Sequence, residues 1–204
     1  MMQEKFRVPT RVLDVQTVDI YGNNLLHFAI VKQFYDLVEE LVREEGMDIY
    51  RLRDGLTPLE VATAVMPGKG TLKIMKLLIR CGANPVVKVE NESFTILDPV
   101  VFFIRLLADL HNANAVNLMT LPIGNVTKFL VEDIGLPVTQ NVLDSVTRVP
   151  EIFAMCQNAR SSPRSLKKLA RLTVLKTHKV DKMPDGYIPE ELKSFLNFQE
   201  GEDE

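Results

Sequence analysis

Glycine, leucine and alanine return in this chain at a fixed interval. Residues 51–62, RLRDGLTPLEVA, carry Gly55, Thr57, Pro58, Leu59 and Ala62, and an upstream segment carries Gly22, Leu26, His27 and Ala29. From Gly22 to Gly55 is 33 positions. Self-similarity at a period of roughly 20–50 residues marks a chain of stacked supersecondary units, each burying its apolar face only against its neighbours. The local chemistry agrees with this. Asp54-Gly55 makes a tight turn, because glycine adopts positive φ at no steric cost. Thr57 is suited to cap the following helix, and Pro58 to its first turn, where no N–H is missed. Leu59 and Ala62 lie three apart on one face, one large and one small, so that one helix pair can stack closely on the next.

The second half of that unit, GTLKIMKLLIRCGANP, runs from Gly70 to Pro85 and sets Ile74, Leu77 and Leu78 at helical spacing. A third unit is weaker. Thr95, Leu97 and Pro99 echo the pattern, with Asp98 at the His27 position and Val100 at the alanine position. Ser93 lies 38 positions after Gly55, five more than the period, and VMPGKG (65–70) is where Pro and Gly place the extra loop. The third inner helix is expected over 98–112, and its outer helix and exit over 125–138, with a long irregular connection between them. Residues 139–160 read as one last helix with Val142, Val146, Ile152 and Phe153 facing inward.

The 204 residues are 46% apolar and 25% charged, which suits one globular domain with an appendage. A net charge of −3 does not suggest a nucleic-acid binder. The longest apolar stretch, Asp98 to Leu110, is broken by Arg105 and Asp109 and reads as a buried helix, not a membrane span. The opening MMQEKFRVPT has no continuous apolar run, so no secretory leader is expected. Cys81 and Cys156 are the only cysteines, too few for a disulfide framework, and the expected location is intracellular, in cytoplasm or nucleus. The glycosylation-type tripeptides at Asn91 and Asn125 carry no weight without a leader.

No catalytic or metal constellation is visible. His27, His111 and His178 are scattered, the two cysteines lack partners at ligand spacing, and neither metal nor cofactor is expected. His27 reads as a residue that bonds backbone across the repeat joint. Gly68-Lys69-Gly70-Thr71 lacks the spacing of a phosphate loop and reads as an insertion. Phe102, Phe103 and Leu106 read as core.

Residues 163–196 hold a different pattern. Leu166, Leu169, Ala170, Thr173 and Val174 follow i, i+3, i+4, i+7, i+8 spacing, one apolar stripe on a short helix. Lys167, Lys168, Arg171 and Lys176 occupy the other face. Residues 160–182 hold eight Lys/Arg and one acid, Asp181, but no interleaved aromatics, which argues against nucleic acid. Ile188-Pro189 opens a further short helix with Leu192, Lys193, Phe195 and Leu196. An ordinary capping helix on the last repeat is the plain alternative.

The 22–85 segments resemble ankyrin repeats, with Glu60 where histidine is usual. Ser165-Leu166, Ala170 and Val174 resemble the elongin-binding BC box of a SOCS box, with Ala170 at the cysteine position. Ile188, Pro189, Leu192, Phe195 and Leu196 are similar to that motif's cullin-proximal ending. Here Asp185-Gly186-Tyr187 separates Met183-Pro184 from Ile188-Pro189, so the usual Leu-Pro-x-Pro is broken. Over residues 19–196 the chain therefore resembles the ankyrin-repeat and SOCS-box proteins.

That resemblance implies an all-α fold: an irregular segment 1–18, about three ankyrin repeats over 19–138, a capping helix or linker at 139–160, a three-helix SOCS box at 161–198, and an acidic tail at 199–204. It implies a non-catalytic adaptor of a ubiquitin ligase. Ser165, Leu166, Leu169, Ala170, Thr173 and Val174 would dock elongin B/C, with Leu166 as the leading knob. Ile188, Pro189, Leu192, Phe195 and Leu196 would meet the cullin-RING module, and the repeats would hold an unknown substrate protein. Nucleic acid and membrane are not expected partners. The alternative is an ankyrin scaffold with no ligase role.

Overall fold

Asn24 and Thr57, 33 positions apart, start two helices by the same device. The Asn24 side-chain oxygen accepts from the His27 backbone N–H at 3.1 Å, and the Asn24 backbone N–H donates to His27 Nδ1 at 3.3 Å. Thr57 Oγ1 accepts from the Glu60 N–H at 3.4 Å, and the Glu60 carboxylate accepts from Thr57 N–H and Oγ1, both at 2.7 Å. Each pair satisfies two of the donors that a helix start leaves over. Gly22 and Gly55 precede the caps with φ of +78° and +82°, as the turn at that position requires.

The computed structural model describes residues 17–43, 47–50, 55–65, 67–89, 92–110, 121–162, 169, 170, 173 and 174. Helices α1 (Leu25–Val31) and α2 (Tyr35–Arg43) are followed by α3 (Pro58–Ala64) and α4 (Thr71–Arg80). An antiparallel hairpin, β1 (Val86–Val89) and β2 (Glu92–Thr95), pairs Val86 with Thr95 and Val89 with Glu92. Then come α5 (Leu97–Leu110) and α6 (Pro122–Lys128), which continues into a π-helical turn, Phe129–Ile134, closed by Gly135 at φ +75°. Last are α7 (Gln140–Val146) and α8 (Pro150–Ser161).

The helices pack as two rows. Helices α1, α3, α5 and α7 touch in sequence, α2, α4, α6 and α8 touch in sequence, and each odd helix packs on the even one that follows it. The outer row repeats one burial pattern at i, i+3, i+4: Val38/Leu41/Val42, Ile74/Leu77/Leu78, Val126/Phe129/Leu130 and Ile152/Met155/Cys156, all buried. The inner row does the same in its first three members, with Leu26/Ala29/Ile30, Leu59/Ala62/Thr63 and Leu97/Val100/Val101. Helix α7 departs from it, burying Val142, Leu143 and Val146. Most of these helices fall well short of the ~12–15 residues a helix needs to persist alone, so side-by-side burial holds them.

The chain is helix-rich, as expected, with the β1–β2 hairpin as an addition. The loop at 65–70 falls where the sequence placed it, between α3 and α4, and α5 falls close to the expected 98–112. The single helix expected over 139–160 is instead two, α7 and α8. Pro150 lacks an N–H and fits only a first helical turn, so it starts a new helix there. Of the four residues expected to face inward, Val142, Val146 and Ile152 are buried and Phe153 is partly buried against the same core. The expected three repeats and terminal helix thus become four helix pairs among the described residues.

Aligning successive pairs shows which side of each helix faces its predecessor. Thr71, Met75 and Ile79 on α4 are buried, whereas the residues 36 positions earlier on α2 are Tyr35, Glu39 and Arg43, of which the first two are half-buried and Arg43 is exposed. Glu39 and Arg43 pair at 3.1 Å. The side that is apolar inside the stack is polar where no helix pair precedes it among the described residues. Met75→Ala should therefore cost about 2–4 kcal/mol, and Glu39→Ala under ~1 kcal/mol. Urea unfolding midpoints of the two variants check the contrast; equal shifts would show that this side of α4 is not a joint.

Candidate interaction surfaces

Four of the sequence-predicted docking residues are described: Leu169, Ala170, Thr173 and Val174, all helical. Leu169 is 41% exposed, and Ala170 and Thr173 are exposed as well. The Thr173 hydroxyl donates back to the Leu169 carbonyl at 3.0 Å, an ordinary within-helix bond. Val174 is partly buried and packs against the core of the helix stack. The stripe therefore divides. Leu169 and Val174 are five positions apart, about 140° around a helix, so one can face solvent while the other leans inward. Ser165, Leu166, Ile188, Pro189, Leu192, Phe195 and Leu196 lie outside the described residues.

A second surface contradicts its sequence reading. Phe102, Phe103 and Leu106 were expected in the core, yet Phe102 is 62% exposed and Leu106 37% exposed; Phe103 alone is partly packed on the core. Helix α5 buries Leu97, Val100, Val101, Ile104 and Ala108 on one arc and leaves Phe102, Arg105, Leu106 and Asp109 on the opposite one. Its apolar content exceeds what one buried arc can take, so the surplus faces outward. Phe102 meets Phe103 edge-on, with ring centres 5.7 Å apart. At the C-terminal end of α5 Asp109 forms an ion pair with Arg148, and at the N-terminal end of α7 Arg160 donates to the Gln140 side chain.

A third exposed apolar group lies at the start of the stack. Ile20 and Tyr21 project from the leading turn, and Phe28 and Phe34 meet edge-on at 6.5 Å across the α1–α2 turn, with Lys32 Nζ 5.9 Å from the Phe28 ring centre. On α3 the position equivalent to Phe28 is Val61, which is buried. Phe28 is thus a joint residue without a preceding helix pair among the described residues, which the period alone could have indicated.

In the phosphate-loop look-alike both glycine amides are already paired within the protein. Gly68 N–H donates to Thr71 Oγ1 at 2.9 Å, and Gly70 N–H donates to Gln33 Oε1 at 3.3 Å. A Cβ at Gly68 would stand 2.3 Å from that Gln33 oxygen, so the glycine exists to admit Gln33. His27 is fully buried, and its Nδ1 accepts a backbone N–H at its own helix cap, whereas the sequence reading placed its backbone bond across the repeat joint. No His/Cys/Asp/Glu group among the described residues could hold a metal ion, and no described helix is long and apolar enough to cross a membrane. Comparison with protein-family models, with curated proteins and with solved structures gives no match.

Cys156 is a structural thiol. It is fully buried on α8, and burial pushes its pKa from 9.0 up to about 11. A thiol raised in this way contributes stability that is complete below about 9 and lost as pH rises toward about 11. The unfolding midpoint should fall between these limits by more in the wild type than in Cys156→Ala. Parallel denaturation series at the two ends of that pH window test this, and identical falls would exclude the thiol as the source.

Proposed function

We propose that this chain is the target-selecting adaptor of an elongin B/C–cullin–RING ubiquitin ligase, in which an ankyrin-type stack holds the target and the C-terminal SOCS-type segment docks elongin B/C. The observation that carries this reading is the outward position of Leu169 and Ala170 beside the stack, in a segment whose apolar spacing suits a partner's groove. The 33-residue recurrence supports the repeat half of the proposal, because it repeats in the paired caps at Asn24/His27 and Thr57/Glu60. In this reading the chain supplies no reacting group. Ubiquitin transfer to the target is accelerated by holding target lysine and charged carrier together. Leu166 leads the docking stripe, and Ile188, Pro189, Leu192, Phe195 and Leu196 form the cullin-proximal end.

A second reading, a scaffold with no ligase role, draws on Val174, whose packing on the core is what a simple end cap would show. Co-expression with elongin B/C separates the two. A stable ternary complex on a sizing column is expected for the wild type and lost in Leu166→Asp and in Leu169→Asp. Ala170→Cys should tighten the complex by roughly one buried heavy atom, on the order of 1 kcal/mol. A wild-type chain that never co-elutes leaves the scaffold reading, and an aspartate variant that still co-elutes puts the docking site elsewhere.

A further inference from the structure

The two equivalent caps differ in one chemical respect. At Thr57 the reciprocal acceptor is the Glu60 carboxylate, and at Asn24 it is a ring nitrogen, Nδ1 of His27. A carboxylate keeps its acceptor down to about pH 4, whereas an ordinary imidazole takes up a proton near pH 6.5 and then has no acceptor left. His27 has no exposed surface. Its side chain is at the third position of α1, where the helix dipole is positive and disfavours a cation. Protonation would thus set N–H against N–H inside the fold.

We propose that His27 is a proton-operated latch on the first helix: neutral, it completes the Asn24 cap; protonated, it releases α1 from the stack. The surroundings make α1 the helix that opens. It has seven residues and packs principally on α2 and α3, with no helix pair before it among the described residues. Asn24 Nδ2 is buried without a hydrogen-bond partner among them, so the cap carries an unmet donor. The turn that ends α1 holds Gln33 at φ +58°, a conformation that favours glycine.

Among the described residues, the charged groups around α1 do not supply an alternative switch. Helix α2 carries Asp36, Glu39, Glu40 and Arg43 with the phenol of Tyr35, α3 carries Glu60, the leading turn carries Asp19, and α1 itself carries Lys32. Glu39 pairs with Arg43, Glu60 is held by Thr57, and the Asp19 carboxylate accepts from the Tyr21 and Asn23 N–H groups and from the Asn23 side chain. Ordinary carboxylates titrate near pH 4, below the window in which an imidazole changes charge.

Amide hydrogen exchange of the full chain, corrected for the intrinsic pH dependence, reads the latch directly. Between about pH 7.5 and about pH 5.5, the opening of α1 should rise about tenfold, the factor by which protonation of a histidine charged only in the open state favours opening. Helix α3, with Glu60 in its cap, is the internal reference and should change less than about twofold. His27→Gln and His27→Glu both keep an acceptor through this window, and both should lose the acid response while leaving α1 protected at the higher pH. Unchanged exchange in wild-type α1 would overturn the proposal. So would equal acceleration in α1 and α3, or an acid response surviving in either variant that folds.

Discussion

A helix of seven residues cannot pair its first four backbone N–H groups or its last four carbonyls within itself, so almost none of its polar backbone is self-sufficient. In α1 and α3 that shortage falls in buried positions, because the same helices carry the stack's core. The reciprocal caps relieve part of it: one side chain receives a helix N–H while the residue three positions on receives the cap's own N–H. With these two donors paired at each start, Leu26/Ala29 and Leu59/Ala62 enter the core beside partnered backbone N–H groups. The burial rows, the joint faces and the placement of the exposed patches all follow from helices that begin at these points.

Side-by-side stacking leaves its ends unfinished, and the two rows finish theirs differently. On the outer row α2 carries Tyr35, Glu39 and Arg43 where α4 carries Thr71, Met75 and Ile79, so the end of that row is already suited to water. The inner row is not finished in this way. Phe28 occupies the position of buried Val61 and remains half-exposed, with Phe34 and Lys32 against its ring. Between the first two helix pairs Tyr50 and Gly82 show how a joint is tied: the Tyr50 hydroxyl donates to the Gly82 carbonyl at 2.5 Å, linking the exit of one helix pair to the exit of the next.

Much of this architecture was legible in the sequence because the signals were local. The turn glycines, the Thr57-Pro58 helix start and the i, i+3, i+4 spacing of Ile74, Leu77 and Leu78 are each decided within a few residues. Thr57-x-x-Glu60 also spelled a reciprocal cap, a signal the sequence reading passed over while treating Glu60 as a departure from histidine. Pro150 was present too, and a proline in mid-segment should have divided 139–160 into two helices. What was not legible was decided by neighbours. Phe102 is as apolar as Phe129, yet one is exposed and the other buried, because α5 had already filled its inner arc. The partial burial of Val174 likewise depends on where α8 and its neighbours end, which no spacing in 166–174 encodes.

Val174 bears on how the C-terminal segment can act. If the whole stripe were turned outward, Leu169, Ala170, Thr173 and Val174 would form a wide apolar face with nothing to fix its direction relative to the stack. If it were wholly turned inward, the segment would be only a cap. The observed division has Val174 against the core and Leu169 and Ala170 outside. A single inward side chain of this size contributes about 1–2 kcal/mol. That is enough to bias the orientation of a short helix and small enough for a docking partner to override. In the proposed adaptor reading, a segment held in this way would meet a groove with its leucine already presented, at little entropic cost. In that reading the stack and the docking face are parts of one packing arrangement, so changes in the core should reach the exposed residues through Val174.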